Sequence, residues 1–176
     1  MRMIAEEKKN GTLEFLLTKP LSEWTVLWSK FLAGITLVFI SLIPTLVTYI
    51  SVYTLGDPVG NLDSGSIAGS YIGLLLLGAA FVSIGIFASS LTSNQIVAFI
   101  LAALICAFAY LGFESIYNMG ILGNADLFVK SLGVRHHYES LSRGVIDTRD
   151  LLYYLSLITL FLMGSRLVLQ SRKWQK

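Results

Sequence analysis

Three long stretches of this chain carry no charge: between Lys30 and Asp57, between Asp63 and Glu114, and between Asp150 and Arg166. The middle stretch, about 50 residues, has room for two membrane spans of about 20 residues each. Composition agrees, with 55% of the 176 residues hydrophobic and 14% charged, where a soluble domain carries roughly 25% charged residues. So little charge cannot cover a water-facing surface. A soluble enzyme, a disordered segment and a nucleic-acid-binding domain are excluded. The expected class is all-α: a polytopic integral membrane protein with four transmembrane helices, its partners including the lipid bilayer and no nucleic acid.

Residues 1–176 read as a single domain. Ser22 is placed to cap a long helix with Glu23 at its start, and Trp24 and Trp28 stand one turn apart as an interfacial belt would place them. Spans are expected at about 26–55, 69–91, 96–113 and 150–170, with 114–149 as an external loop. The first exceeds the roughly 30 Å hydrocarbon core. Pro44 inside it removes a backbone donor, and Ser41 and Thr45 are near enough to satisfy the freed groups. Thr92-Ser93-Asn94-Gln95 is a short polar break that makes the second and third spans antiparallel neighbours. Phe128 to Leu141 suggests a short interfacial helix. Arg166, near the end of the fourth span, is expected to snorkel toward the basic tail Arg172-Lys173-Lys176.

Basic residues orient the bundle. The first 30 residues hold Arg2, Lys8, Lys9, Lys19 and Lys30, and the tail from Arg166 holds four bases and no acid. The 56–68 loop holds Asp57 and Asp63 without a base, and residues 114–150 hold four bases against five acids. Both termini are therefore expected on the cytoplasmic side of the inner (plasma) membrane.

Candidate chemistry is sparse. No G-x-x-x-x-G-K-[ST] cradle for nucleotide phosphates occurs. His136-His137 with Glu139 lacks metal-ligand spacing, since adjacent histidines point different ways on a helix. Glu6-Glu7 resembles the paired glutamates of intramembrane CAAX-type proteases, but that motif needs Arg where Gly11 stands. Cys106 reads as a small packing residue. Gly69, Gly73, Gly78, Ala79, Ser83, Gly85, Ser89, Ala98 and Ala102 are small residues that permit close helix approach, either within the chain or toward a partner subunit or substrate path. No catalytic, cofactor or metal site is expected.

Residues 1–21 are the most specific part of the chain. Gly11 and Pro20 bracket Thr12 to Thr18, a two-turn amphipathic helix with Thr12 as N-cap and Glu14 in its first turn. Glu7, Gly11, Thr12, Leu13, Glu14, Leu16, Leu17, Pro20, Leu21, Ser22 and Lys30 together resemble the cytoplasmic segment of type-2 ABC exporter permeases, E-x-x-x-G-T-L-E-x-L-L-x-x-P-[LIV]-S followed by a span-opening lysine. His137-Tyr138, Ser142 to Asp147 and Asp150-Leu151 also resemble this family, most of all its gliding-motility permease subunit. The resemblance covers essentially the whole chain. It implies a non-catalytic membrane subunit of an ATP-driven exporter, with ATP and magnesium bound by a separate ATPase subunit. It further implies a second permease subunit, in a homo- or heterodimer. ATPase coupling would rest on Glu7, Gly11, Thr12, Leu13, Glu14, Leu16, Leu17 and Pro20, in a cytoplasmic coupling segment 1–21. Family members have six spans, two of them before this segment, so the chain looks amino-terminally truncated. Two other readings stand beside this one: a non-transporting membrane anchor, and a small intramembrane hydrolase using residues 114–150.

Overall fold

The computed structural model describes residues 2–12, 22–120, 123 and 126–173. A short helix α1, Arg2–Lys9, comes first. Ser22 then opens the first long helix, its hydroxyl accepting the Thr25 amide at 3.2 Å. That helix, α2, runs Glu23–Leu55 with Pro44 inside it, roughly 50 Å of rise. The hydroxyls beside the proline bond elsewhere than expected. Ser41 donates to the Val38 carbonyl at 2.7 Å and Thr45 to that of Leu42 at 2.6 Å, because a helical hydroxyl reaches back three or four residues. Neither serves the Ile40 carbonyl that the proline ring leaves without its amide.

Asp63 caps the next helix, α3, Ser64–Leu91, by accepting the Gly65 and Ser66 amides at 3.1 and 3.2 Å. Asn94 caps α4, Gln95–Ala107, through the Ile96 amide at 3.0 Å. The ladder then widens into a π turn, Phe108–Gly112, and continues as α5, Phe113–Met119, until Gly120 ends it at φ 62°. Helices α6, Asp126–Ser131, and α7, Val134–Ser142, follow, and α8, Thr148–Lys173, closes the chain. Four helical runs are long and apolar enough to cross a membrane: Glu23–Leu55, Ser64–Leu91, Gln95–Met119 and Thr148–Ser171. The chain is an all-α, multi-pass membrane protein.

Helix α3 is the centre of the bundle, packed against α8, α4, α2, α7 and α1. Its small residues make that possible. Gly78 sits under Val38 of α2, where a β-carbon would lie 2.6 Å from Val38 Cγ1, and Gly164 of α8 admits the Phe87 ring in the same way at 3.0 Å. Ala80, Ser83, Ile84, Ala88 and Ser89 are fully buried. Gly69 and Gly73 face α7, and Ala98 and Ala102 are buried too. These small residues thus serve packing within this chain. Helix α2 is the opposite case: Leu32, Phe39, Ile43 and Val47 all point outward, an apolar surface that water would penalise and hydrocarbon does not.

Candidate functional site

The amino-terminal end of α2, the carboxyl end of α3 and the start of α4 converge on α1. No local periodicity marks residues 2–9 as helical, and the only apolar signal there is Met3-Ile4-Ala5. Ile4 and Ala5 are nevertheless completely buried. A helix leaves its first four amides without partners inside the helix. Here the Ile4 and Ala5 amides donate to Ser89 Oγ at 3.2 and 2.9 Å. The last four carbonyls of a helix are equally unpartnered, and the Lys8 ammonium donates to one of those of α3, on Ser90. Ser89 thus satisfies amides at the start of α1, and Lys8, in the last turn of α1, satisfies a carbonyl at the end of α3.

Glu7 adds a charged tie. Its Oε1 lies 2.6 Å from Lys30 Nζ, with the two side chains 28% and 14% exposed, so α1 is pinned to α2 as well as α3. Gly11 takes the left-handed conformation at φ 69°, which glycine adopts without steric cost. The Thr12 hydroxyl returns to the Glu7 carbonyl at 3.3 Å. Of the residues singled out from the sequence, the structure brings Glu7 and Lys30 together and places Gly11 and Thr12 directly after α1. Leu13, Glu14, Leu16, Leu17 and Pro20 lie outside the described residues.

Arg166 belongs to this end of the bundle too. It turns sideways to α2, its Nε 3.8 Å from Glu23 Oε2 and its guanidinium 5.1 Å from the centre of the Trp24 ring. The acid and the aromatic face hold the guanidinium at this end of the helix; the side chains of the basic tail toward which it is expected to snorkel lie outside the described residues.

At the far end, His137 Nδ1 lies 2.6 Å from Asp150 Oδ1, and Nε2 lies 2.8 Å from the Ser131 carbonyl. Its ring stacks on Tyr153 at 3.9 Å. With both nitrogens engaged on acceptors, His137 has none left to activate a nucleophile. His136 is held below the ordinary imidazole range, by desolvation first and then by the charges of His137 and Lys130. Burial pushes the Tyr138 phenol up. Among the described residues no group of three or more His, Cys, Asp or Glu is placed to hold a metal.

A family model, the ABC-2 family transporter protein, matches residues 1–170. The chain belongs to that family. No curated protein and no solved structure matches it. As an ABC-2 family member it is a membrane permease subunit of an ABC transporter, a role that implies an ABC ATPase subunit as partner. What sequence reasoning missed in this ABC-2 permease is the seat of α1. Its one visible signal is Ser89-Ser90, a polar pair at the end of an apolar run.

Proposed function

We propose that this permease is the non-catalytic membrane subunit of an ATP-driven exporter. ATP and magnesium are bound, and ATP is hydrolysed, in the separate ATPase subunit. The Thr12 to Thr18 segment docks in a groove of that ATPase, its apolar Leu13, Leu16 and Leu17 filling one pocket. Closure of the ATPase pair then pushes on α1. The observation that carries this reading is the seating of α1. It is fastened by Glu7 to Lys30 and by its amides to Ser89, so a push delivered just after Gly11 reaches α2 and α3 instead of dissipating in a loose strand. A second permease subunit, identical or related, completes the transporter.

The distribution of Lys and Arg supports placing both termini in the cytoplasm and the protein in the inner (plasma) membrane. The narrowest form of the reading, export in gliding motility, is supported by the likeness of residues 137–151 to the gliding-motility permease subunit. Leu16→Asp or Leu17→Asp tests the coupling role. Either change is expected to abolish ATPase co-purification while the permease still inserts in the membrane. Unchanged co-purification with unchanged stimulated hydrolysis would remove the segment from that role.

A further inference from the structure

The end of the bundle opposite α1 holds a polar cavity of about 600 Å3 where α6, α7 and the start of α8 meet, a size typical of small-ligand sites. Its polar groups are satisfied unevenly. The Asp150 side chain lines it at 7% exposure. Oδ1 meets His137, but Oδ2 is buried with no hydrogen-bond partner among the described residues. A buried carboxylate oxygen without a donor is rare in folded proteins and costly. Arg143 and Arg149 line the same cavity from exposed positions, and neither has a carboxylate partner among the described residues. The remaining acids are engaged: Glu139 with Arg135 at 2.9 Å, and Asp147 with the Arg149 amide at 3.0 Å. Lys130, over the Tyr117 ring at 4.7 Å, adds a further cation.

The cavity thus combines an unmet acceptor that is buried with unmet guanidinium groups that are exposed. A plain anion would answer the arginines but leave Asp150 Oδ2 without a donor; a plain cation would do the reverse. We propose that the cavity binds a zwitterion of the phosphoethanolamine class, with its phosphate across Arg143 and Arg149 and an ammonium N–H donated to Asp150 Oδ2. Charge-assisted bonds of both kinds are among the stronger ones available to a protein. The zwitterion reaches the site as the headgroup of a phospholipid or as the free molecule. The cavity lies at the ends of membrane-spanning helices, where headgroups reside. This inference does not depend on ATPase coupling.

The test titrates the detergent-purified full chain with dihexanoyl phosphatidylethanolamine, dihexanoyl phosphatidylcholine and O-phosphoethanolamine, with binding read by native mass spectrometry. Phosphatidylcholine is the discriminating probe, because it keeps the phosphate and the positive charge but has no N–H to donate. Phosphatidylethanolamine is expected to bind roughly tenfold or more tightly than phosphatidylcholine. The double variant R143Q/R149Q should weaken phosphatidylethanolamine binding by a similar factor at an unchanged melting temperature, since both side chains are exposed. Asp150→Asn should erase the preference between the two lipids. Competition by O-phosphoethanolamine would identify the free zwitterion as a ligand, and lipid binding without such competition would identify the headgroup. Equal binding of the two lipids, binding of neither, or wild-type binding by R143Q/R149Q would overturn the proposal.

Discussion

His137 and Asp150 meet at 2.6 Å, Nδ1 against Oδ1, and join α7 to the first turn of α8. The imidazole also lies on Tyr153, whose hydroxyl donates to the Leu132 carbonyl at 2.6 Å. Helices α6 and α7 are thereby clamped to the start of the last long helix. His137→Phe keeps a ring on Tyr153 but leaves the buried Asp150 carboxylate uncompensated. Its expected cost is about 3–5 kcal/mol of stability, read as a lowered melting temperature of the purified protein. Adding Asp150→Asn should recover much of the loss, because the stranded charge is gone. A His137→Phe protein that melts like the parent would mean that the pair is not the clamp.

The Glu7–Lys30 pair permits a swap test. Lys30→Glu alone sets two acids against each other, and Glu7→Lys alone sets two bases. Because both side chains are partly exposed, each single change should cost about 1–3 kcal/mol, less than a fully buried pair would. Each should also lower ATPase stimulation in the reconstituted complex. The double swap should regain most of both losses. If it remains as impaired as the single variants, the ion pair does not connect α1 to α2.

Gly69 and Gly73 face the same helix with different tolerance. A β-carbon at Gly69 would run into the Leu141 carbonyl oxygen and come within 2.9 Å of Gly144 Cα, whereas one at Gly73 meets only side-chain atoms of Tyr138 and Leu141, at 3.2 and 3.3 Å. Backbone cannot rotate away, and a ring can. Gly69→Ala should therefore cost roughly 1–3 kcal/mol, equivalent to a few degrees of melting temperature per kcal/mol. Gly73→Ala should cost clearly less. Equal effects would show that the helices adjust their spacing freely.

The orientation of the bundle is open to labelling. In a Cys106→Ala background, a cysteine at Gly60 or Gly120 should react with an impermeant maleimide added outside intact cells. One at Asn94, in the short connection between α3 and α4, should react only after permeabilisation. Labelling of position 94 from outside would invert the arrangement.

The long helices are legible in the sequence because a span in hydrocarbon excludes charge, and charge-free runs are visible to the eye. The cap Ser22 is legible because it stands, with Glu23, just ahead of an apolar run; Asp63 and Asn94, which read from the sequence only as loop and break residues, prove to cap α3 and α4. The π turn at Phe108–Gly112 is not legible, because a one-residue shift in hydrogen bonding leaves no periodicity behind. Its visible trace is Gly112, over which the Phe108 ring lies so closely that a β-carbon would meet Cδ2 at 2.6 Å. At the candidate site, Glu7, Gly11 and Thr12 stand out by motif. The docking of α1 does not, since Ser89 and Ser90, which receive it, stand more than 80 residues further along the chain. The His137–Asp150 contact has both partners in view, yet their meeting depends on the turn between α7 and α8, which sequence alone does not shape.

The Ser89 hydroxyl that receives the Ile4 amide stands 85 residues later in the chain. At a ribosomal pace of about 5–20 residues per second, several seconds separate the emergence of the two. During that interval α1 has no seat, its leading amides are hydrated, and Ile4 and Ala5 face water or the lipid surface. Helix α3 must be synthesised and threaded into the bilayer before α1 can settle. This end of the bundle is therefore begun before the central helix and finished after it, and a newly made chain has no seated α1 until α3 is in the membrane.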